Sequence, residues 1–229
     1  MNIKSAIVGV SAVTATGSLT ASVRSNLSIS HLLAATSFSR AVGAIEAANT
    51  GKTFGDFWED IQASAIACVL TASAGLEAYA NELFVDHPVI FPDLRPDVMA
   101  KLWELYEMKR TLEKFEFALF LLQASPFNRG ASPYDDAAAL TKLRNALVHF
   151  KPEWSTQQTE HAKVSAALQN RASRSPFFGT NEQLFPRAWA SHKSTRWVVQ
   201  SVVALILDFE GRCSFQSRIT PYLERLRAT

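Results

Sequence analysis

The chain has 229 residues, 48% of them hydrophobic and 19% charged, which suits a packed core and argues against a disordered or fibrous chain. Lysine and arginine total 23 against 21 acids, a formal charge of +2, so no global field marks a nucleic-acid binder and any such contact must come from a local patch. Two cysteines, Cys68 and Cys213, exclude a disulfide scaffold or a cysteine-rich zinc module, and reduced thiols in a cytoplasmic setting are expected.

Residues 1–45 contain no acid, and a mildly apolar run follows Lys4 from Ala6 to Ala15. An export or transit segment shares that composition, but Gly9, Ser11 and Thr14 interrupt the run. Residues 1–30 are read as an N-terminal arm, either loose or a short strand pair turning near Gly17. No window holds 18 consecutive apolar residues. The longest candidate, Val198–Leu207, is interrupted by Gln200 and Ser201 and reads as a buried helix, so no membrane span is expected.

The rest of the chain reads as helix. Residues 31–49 carry Leu33, Phe38, Val42 and Ile45 at helical spacing. Thr53 and Asp56 have the form of a capping box for a long helix over 54–84. Pro88, Pro92 and Pro96 mark a loop, and a further helix is predicted over 97–123, with Leu102, Leu105, Leu112, Phe115, Leu119 and Leu122 as its apolar positions. Ser132-Pro133 opens the next helix, expected to run to about Lys151 and stop at Pro152. A shorter helix is predicted from Ser155. A polar, basic loop spans 170–178, and residues 180–212 are mostly helical. The pattern predicts an all-α bundle, with residues 31–229 as one domain and a closing helix at about 191–212.

Most candidate chemistry can be set aside. Cys68 and Cys213 read as small core residues. The five histidines show no metal-ligand spacing, and no phosphate-binding glycine loop occurs. Asp135 and Asp136 suit the first turn of a helix better than a metal. Lys109, Arg110 and Lys114 form a basic stretch whose default reading is a solvated face, with phosphate contact the alternative.

The segment Leu143–Pro152 stands apart. On a helical wheel with Leu140 at zero, Leu143, Leu147, Ala139, Ala146 and Phe150 share one arc. Arg144 falls at about 40°, on the margin of that apolar face, Asn145 at about 140° and His149 at about 180°. Asn145 and His149 are i, i+4 neighbours. Arginine and histidine suffice to cut RNA without metal: the imidazole moves a proton, and the guanidinium holds the phosphate as charge builds. A structural reading also exists, in which Arg144 pairs with Glu77 or another acid and His149 merely ends a helix.

Arg144, Asn145 and His149 resemble the signature of the HEPN family: arginine, four to six residues, then histidine, often with a polar residue after the arginine. Fourteen arginines and five histidines give about one such spacing by chance. The chain has three, the others being Arg24 with His31 and Arg187 with His192. Only Arg144 has the polar follower, lies late in an amphipathic helix and has Lys-Pro beyond its histidine. The stretch Gly75–Leu83, with Glu77 and Asn81 on one face, resembles the family's earlier core helix, and Lys101–Met108 resembles the segment between. The resemblance covers about 54–152.

It implies an antiparallel HEPN-like bundle acting as a metal-independent endoribonuclease without cofactor. Arg144, Asn145 and His149 would be catalytic, Glu77 and Asn81 supporting, and Lys109, Arg110 and Lys151 would touch RNA. It also implies a homodimer and a role as toxin or phage-defence effector beside an antitoxin or defence partner, with no DNA target. In one toxin branch a tyrosine two places after the histidine is the silencing site. Here that place is Lys151, so silencing there is not expected. The alternative is a non-catalytic helical module binding RNA, nucleotide or a partner protein.

Overall fold

The computed structural model describes residues 24–229 apart from 155, 158 and 214, and every regular element among the described residues is a helix. The reading of residues 1–23 as part of an arm, including the Ala6–Ala15 run, lies outside the described residues. Helix α1 spans Ser28–Ala48 and α2 spans Phe57–Val85. They are followed by the one-turn α3 (His87–Ile90), α4 (Pro96–Tyr106) and α5 (Thr111–Leu121). Then come α6 (Tyr134–Val148), α7 (Glu160–Leu168), α8 (His192–Cys213) and the short α9 (Leu223–Arg227).

Helix α2 is the axis of the bundle. It buries Ile61, Ala65, Cys68, Val69, Ala72, Leu76, Tyr79 and Leu83 against α1, α5, α6 and α8. Among the described helices it is the one long and apolar enough, by length and composition, to cross a membrane. Gly75 sets its approach to α1, because a Cβ there would lie 2.8 Å from Leu32 Cδ2. On the other side α8 buries Val198, Val199, Val202, Leu205, Ile206 and Phe209, so the interrupted apolar run near the C-terminus is core helix.

The helix starts differ from the sequence expectation for a common reason. The Thr53–Asp56 box does not form: α2 starts at Phe57 without a side-chain cap. Instead, carboxylates from elsewhere reach helix N-termini and take their orphan N–H groups. Glu82 of α2 accepts from the amides of Leu27 and Ser28 at 3.0 Å and from the Ser28 hydroxyl at 2.7 Å, so α1 begins at Ser28 rather than His31. Glu46 of α1 accepts the His192 amide at the start of α8. Glu153 accepts the amides of Glu160 and His161 at 3.0 Å. That fixes the start of α7, while the expected start at Ser155 falls on a residue outside the described ones.

Three helical stretches are shorter than expected. The predicted helix over 97–123 is two helices, broken at 107–110, and Leu105 is exposed. The chain folds back there because Tyr106 stacks on Phe117, with ring centroids 3.5 Å apart, while Trp103 lies against Phe84. Helix α6 ends at Val148 rather than near Lys151. Residues 180–191 contain only the irregular turn Leu184–Ala188 before α8.

Candidate functional site

The wheel position of Arg144, on the edge of the apolar face of α6, becomes a position in a groove. Ala137, Ala139, Leu140 and Leu143 seat α6 on the core. The next surface round the helix then faces a groove of about 620 Å³ bounded by α2, the start of α5 and α6. Glu77 and Asn81 enter from α2, Arg110 and Thr111 from α5, and Arg144 and Asn145 from α6. Three stretches about thirty residues apart in sequence thus meet at one place. Leu70, Ala74, Leu76 and Leu140 complete the wall, and apolar walls strengthen any charge interaction made inside.

The two charge signs in the groove are not equally free. Glu77 is consumed by its own wall: the Lys114 ammonium pairs with one oxygen and the Thr111 hydroxyl donates to the other. Lys114 also donates to Asn81 Oδ1 at 2.8 Å and lies 5.5 Å from the Trp103 ring centroid. Arg144, by contrast, has no carboxylate partner among the described residues. Its guanidinium donates only to Asn145 Oδ1, at 3.0 Å. The pairing of Arg144 with Glu77 or another acid, which a purely structural reading expects, is therefore not made among the described residues. Arg110 has one loose, exposed contact to Glu113 of its own helix, at 3.8 Å. With Glu77 matched by Lys114, the groove offers two guanidiniums, two amides and no uncompensated acid, which is a surface for an anion.

His149 stands outside this groove. It is the exposed residue that ends α6, and its amide donates to the Asn145 carbonyl at 2.9 Å. Lys109 and Lys151 are exposed and likewise do not line the groove. Asp135 and Asp136 lie in the first turn of α6, as expected, and both pair with Arg171 beyond α7. Burial pushes the thiols of Cys68 and Cys213 up to about 12, which keeps both protonated near neutrality and unsuited to nucleophilic work. Among the described residues no three His, Cys, Asp or Glu side chains gather where they could hold a metal ion.

Two residues that the sequence reading passed over matter here. Lys114, taken with Lys109 and Arg110 as a solvated face, is buried; Ala118 and Leu121, four and seven residues on, place it on an apolar stripe and were the available signal. His161 is also buried, on α7. Its Nε2 lies 2.9 Å from the Lys151 carbonyl, and its ring stacks on Phe150 at 5.5 Å. It therefore holds the segment that follows His149. The fold and groove together define an all-α bundle with a half-enclosed cationic cleft. No family model, no curated protein and no solved structure matches the chain.

Proposed function

We propose that the protein is a metal-independent endoribonuclease of HEPN type, with the groove as the seat of an RNA phosphate. The observation that supports this most is the unpaired Arg144, half-buried in an apolar-walled groove beside Asn145. A guanidinium in such a place serves either a carboxylate or a ligand anion, and no described carboxylate is there. In the reaction, the 2′-oxygen of the RNA attacks the neighbouring phosphorus and the bond to the 5′-oxygen breaks. The products are a cyclic phosphate and a 5′-hydroxyl. One imidazole takes the 2′ proton and one imidazolium gives a proton to the departing oxygen. Arg144 neutralises the charge that builds on the phosphorane, Asn145 orients it, and Glu77 with Asn81 fixes Lys114 beneath the site. Lys109, Arg110 and Lys151 add phosphate contacts along the strand. A toxin or phage-defence role, with an antitoxin or defence partner, belongs to the same proposal.

The position of His149 outside the groove favours a second reading, a helical module that holds RNA or a nucleotide without cutting it. Induction of the wild-type chain and of His149→Ala and Arg144→Ala, followed by RNA analysis and by assays on purified protein, separates the two. The enzyme gives cleavage that survives EDTA, leaves a cyclic phosphate, and drops by about 10²-fold or more in either variant. RNA binding weakens with salt as phosphate contacts are screened. Equal cleavage by folded wild type and His149→Ala removes His149 from the mechanism, and an absolute magnesium requirement removes the mechanism itself.

A further inference from the structure

Immediately after α6 the chain runs His149-Phe-Lys-Pro-Glu-Trp154, and this segment is pinned along its length. His161 Nε2 meets the Lys151 carbonyl at 2.9 Å. The His161 ring stacks on Phe150, and the Phe185 ring meets both, edge on to His161 at 5.1 Å and 6.1 Å from Phe150. Glu153 is held by the Glu160 and His161 amides, the His161 amide foremost in keeping its carboxyl below the usual carboxylate range. At the end of this fastened segment stands Trp154, 81% exposed, with no aromatic partner among the described residues. An indole left in water forgoes a large burial gain. Here the backbone that carries it is held just before the ring at Lys151 and Glu153, and the Trp154 carbonyl accepts the Gln157 amide at 2.9 Å.

The charges around it narrow what covers it. Lys151 is exposed and has no acid partner among the described residues. The same is true of Lys142, which lies about 20° from His149 on the wheel of α6. Arg144 stands five residues before His149, on the groove side of α6. Unpaired cations on the stretch that leads up to an exposed aromatic ring match a single nucleic-acid strand, whose phosphates meet the cations and whose bases stack on the ring. An apolar protein partner has no use for these unpaired cations. Trp154 is five residues beyond His149, a reach of at most about 18 Å.

We propose that the 149–154 segment is a base-stacking platform, with Trp154 receiving an unpaired nucleobase a few nucleotides from the scissile phosphate. The inference rests on the RNA reading of the groove but not on catalysis. It confines the substrate to strands with unpaired bases at that place and favours purines there, since the larger ring system stacks more strongly.

The test uses the full chain and a fluorescent single-stranded 2′-O-methyl oligoribonucleotide, which lacks the attacking hydroxyl and cannot be cleaved. Binding is followed by anisotropy for wild type, Trp154→Ala, Trp154→Phe and His149→Ala, with a duplex and an abasic strand as further probes. Expected is a loss of about 5- to 150-fold in Trp154→Ala, mostly restored in Trp154→Phe. The abasic strand should bind alike to wild type and Trp154→Ala, and the slope against salt should not change, because no phosphate contact is lost. Trp154 is exposed, so thermal unfolding of the variants should match wild type. Unchanged affinity in Trp154→Ala, an equal loss on the abasic strand, or no binding by wild type overturns the platform. So does a change of oligomeric state by light scattering, which would make Trp154 a contact between proteins. Cleavage of ordinary RNA is scored separately. Trp154-dependent binding without cleavage leaves the platform standing and overturns the enzyme; cleavage with Trp154-independent binding does the reverse.

Discussion

At the scale of single residues, the groove is organised by a buried cation that the helix pattern hides. Lys114 is 2% exposed and joins Glu77, Asn81 and the Trp103 face. A buried ammonium persists only where it is paired and hydrogen-bonded, and each of its neighbours supplies part of that environment. Lys114→Ala should cost about 3 kcal/mol, near the low end for breaking a buried pair, because Glu77 keeps over a third of its side chain in water. Combining Lys114→Met with Glu77→Gln should recover much of the loss, since no unpaired charge then remains. Urea unfolding measures both; an equal loss in the single and double variants would show that packing rather than charge sets the cost. Arg144 is the opposite case, legible from sequence because an arginine at the margin of an apolar face is conspicuous on a wheel. His161 and Glu153 gave no such signal, because their role is to hold a loop and loop contacts have no period to read.

At the scale of elements, periodicity located nearly all the helices but not where they start. The apolar spacing of α1, α2, α6 and α8 is visible in the sequence because each buries one continuous face. Their boundaries were not legible, because three helix N-termini use Glu82, Glu46 and Glu153 from distant or preceding segments, which no local capping pattern encodes. The break between α4 and α5 was missed for a related reason: the stack of Tyr106 on Phe117 is a tertiary contact that overrides a good helical pattern. The junction of α1 with α8 is also a titrating element. Burial foremost, and then the charge of Arg196, hold the His192 imidazole below its ordinary value of 6.5, while a backbone contact with Thr229 opposes them. Burial raises the carboxyl of Glu46, whose oxygen accepts the His192 amide. A depressed histidine binds fewer protons in the folded than in the unfolded state. Its share of stability is therefore present above about pH 6.5 and is lost as the pH falls through its folded value. A raised carboxyl acts in reverse, its penalty fading as the pH falls towards 4.5. Between about pH 7.5 and pH 5, wild type should lose more stability than His192→Gln, which keeps the Glu46 effect and lacks the imidazole. Parallel pH curves for the two proteins, measured by urea unfolding, would remove His192 from the junction's titration.

At the scale of the whole molecule, the two residues that define the proposed chemistry do not meet. Arg144 looks into the groove between α2 and α6, while His149 stands outside it at the end of α6. Five residues on a helix turn through about 140°, so one copy of α6 cannot easily aim both side chains at one phosphate. Two copies about a two-fold axis can, because such an interface is self-complementary and brings the histidine of one protomer towards the arginine of its partner. Val148, on the wheel between Arg144 and Asn145, is 47% exposed, and Leu70 on the groove wall is 37% exposed. Both are apolar surface that a second copy would cover. A homodimer of this kind should bury well over about 1,000 Å² in total if it is stable. The decisive experiment mixes Arg144→Ala protein with His149→Ala protein, each inactive alone. If subunits exchange freely at equal concentrations, about half of the dimers are mixed. Each mixed dimer holds one intact arginine and one intact histidine on different chains, so a cross-chain site should regain measurable cleavage of RNA. Crosslinking each variant to itself before mixing should abolish that recovery. A chain that stays monomeric by light scattering and keeps full specific activity on dilution would show that a single protomer closes the site unaided.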